Sequence, residues 1–196
     1  MPIVAILPVK PFRLGKERLT ESLTPDARVA LAQAFAIHTA DTSASAGLIP
    51  LIVAGDYDVA EWALTKGIPT VDDPGTDLSA AAAAGVGWAG AADCAWIVIH
   101  CDLPLLQVGE VVDLATALEE SGAVIAPSAD GGTSALGGGE TPEFAYGASS
   151  FHRHLARIPN ATVVVRTGLL HDVDSPADLV SARRHPRGTW LAEVIG

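Results

Sequence analysis

The segment after the first apolar run carries a concentration of positive charge. Residues 10–18 read KPFRLGKER and hold four cations against one anion, in a chain whose formal net charge is −11. Such a local excess of cations is typical of a site for phosphate or another polyanion, although a solvated basic loop is the alternative. Neither GxxxxGK[ST] nor GxGxxG occurs, which argues against the common nucleotide loops. We predict that Lys10, Lys16 and Arg18 offset the charge of bound polyanions.

Two acidic segments are candidates for a metal site. Asp102 follows an apolar run, where an unpaired carboxylate would be poorly solvated. Asp172 and Asp174 alternate along an extended segment, so both side chains point to the same side. Mg²⁺ takes oxygen ligands and shares them with substrate phosphates, whereas capping of a following turn or helix is the alternative role. We predict a two-carboxylate magnesium site built from Asp102 and Asp174.

Glycines and hydroxyl residues form two candidate anion-binding segments. Residues 130–139 read DGGTSALGGG, and glycines allow positive φ and expose backbone N–H groups. Residues 146–151 read YGASSF, where a predicted strand passes into a helix whose first amides could bind an anion. A surface turn and a simple N-cap at Ser149 are the alternatives. We expect a mobile loop over residues 131–139 and a turn over residues 147–150 to close on one anionic substrate.

These segments lie between apolar runs and helix-like stretches that alternate along the chain. Predicted strands cover residues 3–9, 48–54, 69–72, 96–100, 123–128, 143–146 and 162–165. Predicted helices cover residues 25–46, 59–66, 78–91, 108–120, 148–158 and 175–183, with His152, His154 and Arg157 on a solvated face. Alternation of this kind predicts a three-layer, Rossmann-like α/β fold with a mostly parallel sheet. Ligands bind such sheets at the carboxyl ends of the strands.

Length and composition exclude several classes of protein. The 196 residues predict one domain over residues 1–196, in which residues 184–196 form a dispensable tail. The acidic surplus argues against a nucleic-acid binder, and 49% hydrophobic residues argue against disorder. The longest uncharged run, residues 78–92, is too short to span a membrane. Two cysteines and no leader pattern indicate a cytoplasmic protein.

Six motifs in one order resemble the phospholactate guanylyltransferase family. They are PVK at 8–10 with GKERL at 15–19, DLPLL at 102–106, GGTSAL at 131–136, YGASSF at 146–151 with His154, and DVDSPADL at 172–179. The resemblance runs from residue 3 to about residue 183 and implies a nucleotidyltransferase fold of the GT-A/MobA type. It also implies transfer of GMP from GTP to the phosphate of a three-carbon phospho-acid, with release of pyrophosphate, in coenzyme F-420 biosynthesis.

The resemblance further implies roles for individual residues. The acid-substrate site is matched by Lys10, Thr133, Gly147 and Ser149, with Ser150 in the same turn, and the metal carboxylates by Asp102 and Asp174. GTP, the phospho-acid and Mg²⁺ are the implied ligands. The acid itself stays open between 2-phospho-L-lactate, phosphoenolpyruvate and 3-phosphoglycerate, and the oligomeric state stays open, with a homodimer as one alternative. Another MobA-like nucleotidyltransferase and a non-catalytic nucleotide-binding module are the alternative functions.

Overall fold

Seven strands form one sheet in the computed structural model, which describes residues 1–139 and 142–195. They are β1 (Ile3–Val9), β2 (Ile49–Ala54), β3 (Thr70–Asp72), β4 (Ala95–Ile99), β5 (Ala123–Pro127), β6 (Thr133–Gly138) and β7 (Thr162–Val163). Their order across the sheet is β3-β2-β1-β4-β6-β5-β7. Only the pairings of β6 with β4 and β5 are antiparallel among these strands. The prediction of a mostly parallel sheet is therefore confirmed.

The helices begin and end at residues with a clear physical role. They are α1 (Pro25–Ser45), α2 (Tyr57–Thr65), α3 (Leu78–Ala91), α4 (Val108–Ser121), α5 (Ser150–Arg157), α6 (Thr167–Leu170), α7 (Pro176–Arg184) and α8 (Leu191–Ile195). The Thr24 hydroxyl accepts a hydrogen bond from the Ala27 amide at the start of α1, which Pro25 opens. Gly122 ends α4 with φ of 78°, a conformation that glycine adopts without strain.

Helices cover both faces of the sheet and give the predicted three layers. Along β1, Ala5 and Leu7 face the layer that holds α1, α2 and α4, whereas Val4 and Ile6 face α3 and α5. Burying one such Ile or Leu side chain stabilises the fold by about 1.5–3 kcal/mol. Helix α3 lies especially close, because a Cβ added at Gly85 would clash with the Ile6 side chain.

The glycine-rich segment contradicts the predicted mobile loop. Residues 133–138 form β6 between β4 and β5, and all six are buried. A Cβ at Gly137 would lie 2.9 Å from the Ile97 side chain, the Trp96 carbonyl oxygen and the Val124 side chain. Glycine is therefore required there by the close approach of the neighbouring strands, and only residues 130–132 form a turn.

The predicted strand over residues 143–146 is also wrong. The Ala145 amide donates to His154 Nε2 at 2.8 Å and the Tyr146 amide donates to Ser79 Oγ at 3.3 Å. The Arg153 guanidinium donates to the carbonyl oxygens of Ala145 and Tyr146. Side chains thus satisfy the backbone groups that a strand would have paired with a neighbouring strand.

The C-terminal residues are packed against the rest of the chain. Leu191 of α8 is fully buried among Leu19, Leu31, Phe35 and Leu105, and this packing argues against the dispensable tail expected for residues 184–196. Gly196, the last residue of that expected tail, lies outside the described residues. No described helix is both long enough and apolar enough to cross a membrane. A single domain stays the prediction.

Candidate active site

Several of the predicted site residues lie at the edge of the sheet where β1 and β4 end. Lys10 directly follows β1, and Asp102 lies three residues beyond the end of β4. Because β6 is antiparallel to β4, Thr133 at its start lies at the same edge, where the His100 amide donates to the Ser134 carbonyl oxygen at 2.9 Å. The distant segment 172–174 is brought there by a hydrogen bond of 3.0 Å from the Val173 amide to the Asp102 carbonyl oxygen.

Three carboxylates form a cluster suited to a cation. One oxygen from each of Asp102, Asp172 and Asp174 lies within 4.8 Å of the other two. Asp102 Oδ1 is buried and has no hydrogen-bond partner among the described residues. Burial, reinforced by the neighbouring carboxylates, raises the pKa of Asp172 to about 6. An unpartnered buried oxygen beside two further carboxylates fits a divalent metal ion, and Asp172 adds a third carboxylate to the predicted pair.

Lys16 already provides a positive charge to this cluster. Its Nζ lies 2.9 Å from Asp102 Oδ2 and 3.5 Å from Asp174 Oδ1, and it donates to the Val173 carbonyl oxygen at 2.7 Å. Burial lowers the pKa of Lys16, but the two carboxylates outweigh that effect and hold it above its usual value. Burial by itself raises the pKa of Asp102. The Lys16 ammonium and His100 outweigh this effect and hold the pKa of Asp102 below its usual value. The ammonium therefore occupies Asp102 Oδ2 and leaves Asp102 Oδ1 open to a cation.

The other two predicted cations are exposed. The Arg18 side chain is 77% exposed, with Nη1 at 3.8 Å from Asp174 Oδ2. Lys10 is exposed and makes no hydrogen bond or ion pair within residues 1–139 and 142–195. Arg18 also borders a cavity of about 340 Å³ whose wall includes Asp172 and Asp174. Both side chains are thus open to solvent, and of the two Arg18 is the one with a contact to the acidic cluster.

A second cluster joins the predicted hydroxyl residues to a histidine. Ser150 Oγ lies 3.1 Å from Thr133 Oγ1, which lies 2.9 Å from His154 Nδ1. All three residues are buried, so the expectation of a solvated His154 is wrong. Burial, with help from the nearby cations Arg157 and Arg153, lowers the pKa of His154 to about 4. The spacing of four residues between Ser150 and His154, which places them on one face of α5, was the sequence signal that could have revealed their common partner.

The remaining turn residues are placed next to this cluster. Gly147 has φ of 112°, and its carbonyl oxygen accepts a hydrogen bond from the Ser150 amide. Ser149 occupies the N-cap position of α5 with φ of 54° but makes no side-chain capping bond. Its exposed hydroxyl is therefore available to a ligand at the start of α5.

The comparisons with known proteins show which family the chain resembles. The family described as "Guanylyl transferase CofC like" matches residues 3–193. The chain is 34% identical to the phosphoenolpyruvate guanylyltransferase of Sphaerobacter thermophilus, with 94% of each chain covered. It is 29% identical to the 2-phospho-L-lactate guanylyltransferase of Methanothermobacter thermautotrophicus, over 100% of this chain and 90% of the relative.

A solved structure extends the comparison to the fold. A candidate nucleotide-diphospho-sugar transferase from Desulfovibrio desulfuricans G20 superposes with a TM-score of 0.76 at 20% identity, covering 98% of this chain and 95% of that one. At this level of identity the likeness concerns the fold alone. It confirms the predicted nucleotidyltransferase fold.

Proposed function

The chain belongs to the guanylyl transferase family described as CofC like, and we propose that it transfers GMP from GTP to the phosphate of a three-carbon phospho-acid. A phosphate oxygen of the acid forms a new bond to the α-phosphorus of GTP, and the bond from that phosphorus to the oxygen bridging to the β-phosphorus breaks. Pyrophosphate leaves with the electron pair of that bond. The nucleophile is already ionised at neutral pH, so no general base is required.

The observation that carries this proposal is the acidic cluster with Lys16 at the carboxyl edge of the sheet. Two polyanions must approach each other in this reaction, and their repulsion is the main obstacle. Catalysis therefore consists chiefly of positioning and charge neutralisation. The position of Lys16 and Arg18 beside the acidic cluster supports a role in offsetting the charge of the phosphates. The cavity beside Asp172 and Asp174 leaves room for the phosphates.

The proposed cofactor is Mg²⁺, held by Asp102 and Asp174 with Asp172 beside them. The orphaned Asp102 Oδ1 supports this ligand set, because it needs a partner that the described residues do not supply. A divalent ion bound there would supply further positive charge to the phosphates. In its absence, Lys16 keeps the Asp102 carboxylate paired.

The proposed acid site consists of Lys10, Thr133, Gly147, Ser149 and Ser150. The buried Thr133–Ser150 hydroxyl pair and the exposed Ser149 hydroxyl support it, because hydroxyl groups can donate hydrogen bonds to an anionic oxygen. The relatives' names point to phosphoenolpyruvate or 2-phospho-L-lactate as that acid. The product would then serve coenzyme F-420 biosynthesis, and the two free cysteines, Cys94 and Cys101, support a cytoplasmic location.

A matrix of the four nucleoside triphosphates against 2-phospho-L-lactate, phosphoenolpyruvate and 3-phosphoglycerate tests this function. Pyrophosphate release is measured with and without each acid, and product masses are recorded. We expect release only with GTP and one of the acids, with Mg²⁺ present. Release with another nucleotide would favour a different MobA-like nucleotidyltransferase, and no release with any combination would favour a non-catalytic module.

A further inference from the structure

His154 has its hydrogen-bonding direction fixed by the backbone. The Ala145 amide donates to His154 Nε2 at 2.8 Å, and an amide can only donate. A hydrogen on Nε2 would collide with the amide hydrogen, so Nε2 carries none. The neutral ring then carries its hydrogen on Nδ1, which lies 2.9 Å from Thr133 Oγ1 and donates to it. The pKa of His154, lowered to about 4 by burial first of all, agrees with a neutral ring.

This direction decides what the Thr133–Ser150 pair offers to a ligand. The two hydroxyls lie 3.1 Å apart and carry two hydrogens, of which one is used in their mutual hydrogen bond. Because His154 donates, neither hydroxyl hydrogen is used on the ring. One hydroxyl hydrogen therefore remains without an acceptor among residues 1–139 and 142–195, although both hydroxyls are buried.

The opposite tautomer would reverse the chemistry of the pair. With the hydrogen on Nε2, Nδ1 would accept from Thr133, and Thr133 would accept from Ser150. No hydrogen would remain, and the pair would present only lone pairs to an anion. We propose that His154 is a positioning residue that makes the Thr133–Ser150 pair a hydrogen-bond donor to an anionic oxygen of the phospho-acid. This inference rests on the proposed function, since it takes its ligand from that reaction.

The tautomer is tested on the unaltered chain without any substrate. Proton–nitrogen correlation spectra of the ¹⁵N-labelled protein at neutral pH distinguish a protonated ring nitrogen from a bare one. We expect His154 to carry its hydrogen on Nδ1 alone, with the exposed His152 of the same helix as the internal reference. A hydrogen on Nε2 of His154, in a neutral ring or in an imidazolium, would overturn the inference.

The consequence for the acid is tested by steady-state kinetics on three variants. His154→Leu removes the N–H that donates to Thr133, so the direction of the hydroxyl pair is no longer fixed; the KM for the phospho-acid should rise about 2- to 10-fold, the usual effect of losing one hydrogen bond between neutral groups, without a change in the KM for GTP. His154→Asn retains an N–H donor near the position of Nδ1 and should recover most of that loss. His152→Leu, two residues away on the same helix, is the matched control and should behave like the unaltered chain.

An unchanged KM for the acid in His154→Leu, or an equal rise in the KM for GTP, would contradict the positioning role. If His154→Leu does not fold, His154→Asn decides, because it keeps an N–H donor. A rise in its KM for the acid by the full factor expected for His154→Leu would contradict the role as well. Failure of the proposed function would appear separately, as the absence of guanylyl transfer by the unaltered chain.

Discussion

At the scale of single residues, the charge and the hydrogen bonds of the Asp102 carboxylate decide how the acidic cluster can bind a cation. Asp102 is held ionised by Lys16 in the chain by itself, and it keeps one oxygen free of hydrogen bonds. A carboxylate kept ionised and half-satisfied in this way is ready to bind a cation with little rearrangement. The Lys16 ammonium offsets the cost of burying its charge.

Asp102→Asn should abolish turnover while leaving the fold intact. The substitution keeps the shape of the side chain but removes one negative charge from the cluster. We expect kcat/KM to fall by more than about 100-fold, since even partners outside the ligand shell of a metal are worth 10- to 100-fold. Activity is measured over a range of Mg²⁺ concentrations, with thermal unfolding as the check on the fold.

Asp113→Asn provides the matched control for that variant. Asp113 pairs with Arg166 at 2.7 Å on the surface of α4, and an exposed pair of this kind contributes little. This control should keep full activity. Near-normal turnover by Asp102→Asn at saturating Mg²⁺ would remove Asp102 from the proposed metal site.

Lys10→Ala should impair use of the phospho-acid and leave GTP affinity unchanged. Lys10 is exposed at the end of β1 and free of partners among the described residues, so its charge is available to a substrate. Loss of a charged hydrogen bond predicts a decrease of about 10- to 150-fold in kcat/KM for the acid. Lys66→Ala, at the exposed end of α2, removes the same charge elsewhere and should change nothing. A collapse of GTP binding with acid use untouched would show that the role assigned to Lys10 is wrong.

At the scale of elements, the sequence predicts what local patterns determine. The apolar runs of β1, β2 and β4 and the caps at Thr24 and Ser175 locate their elements within one or two residues. Strand β6 escapes prediction because TSALGG contains, apart from Thr133, none of the β-branched and aromatic residues that favour strands. Its position is fixed by pairing with β4 and β5, which local patterns do not report. Lys10, Lys16, Arg18 and Asp102 come after predicted strands, so the sequence itself indicates their place at the edge of the sheet. The burial of His154 depends on how α5 packs on the sheet, which the sequence does not report.

The two inner glycines of α3 allow the docking of that helix on the sheet to be measured. A Cβ at Gly85 would clash with the Ile6 side chain, whereas a Cβ at Gly87 would meet nothing within 4 Å. Gly85→Ala should therefore destabilise the protein by about 1–3 kcal/mol through overpacking. Gly87→Ala should stabilise it by up to about 1 kcal/mol, because alanine favours helix more than glycine does. Denaturant unfolding measures both, and equal effects of the two substitutions would contradict the close packing of α3 on β1.

At the scale of the whole molecule, the site is assembled from both ends of the chain. Lys16 comes from the N-terminal part, Asp102 from the middle and Asp174 from the C-terminal part. Leu105 and Val173, close in sequence to the two carboxylates, pack in one apolar cluster with Leu19 and Leu191. Packing of the C-terminal helix is therefore connected to the geometry of the acidic cluster.

Leu191→Ala should accordingly weaken both the fold and the reaction. Leu191 is fully buried, and removal of such a side chain costs about 2–5 kcal/mol in unfolding free energy. Because the same cluster holds the segments that carry Asp102 and Asp174, looser packing should also raise the Mg²⁺ concentration needed for half-maximal activity.

The matched control is Leu64→Ala, the same substitution at a side chain that is 62% exposed on α2, which should alter neither quantity. Unfolding in denaturant and Mg²⁺ titration of activity are measured on both variants. Unchanged stability in Leu191→Ala would restore the view of residues 184–196 as a dispensable tail, and lost stability with an unchanged Mg²⁺ requirement would separate the C-terminal packing from the acidic cluster.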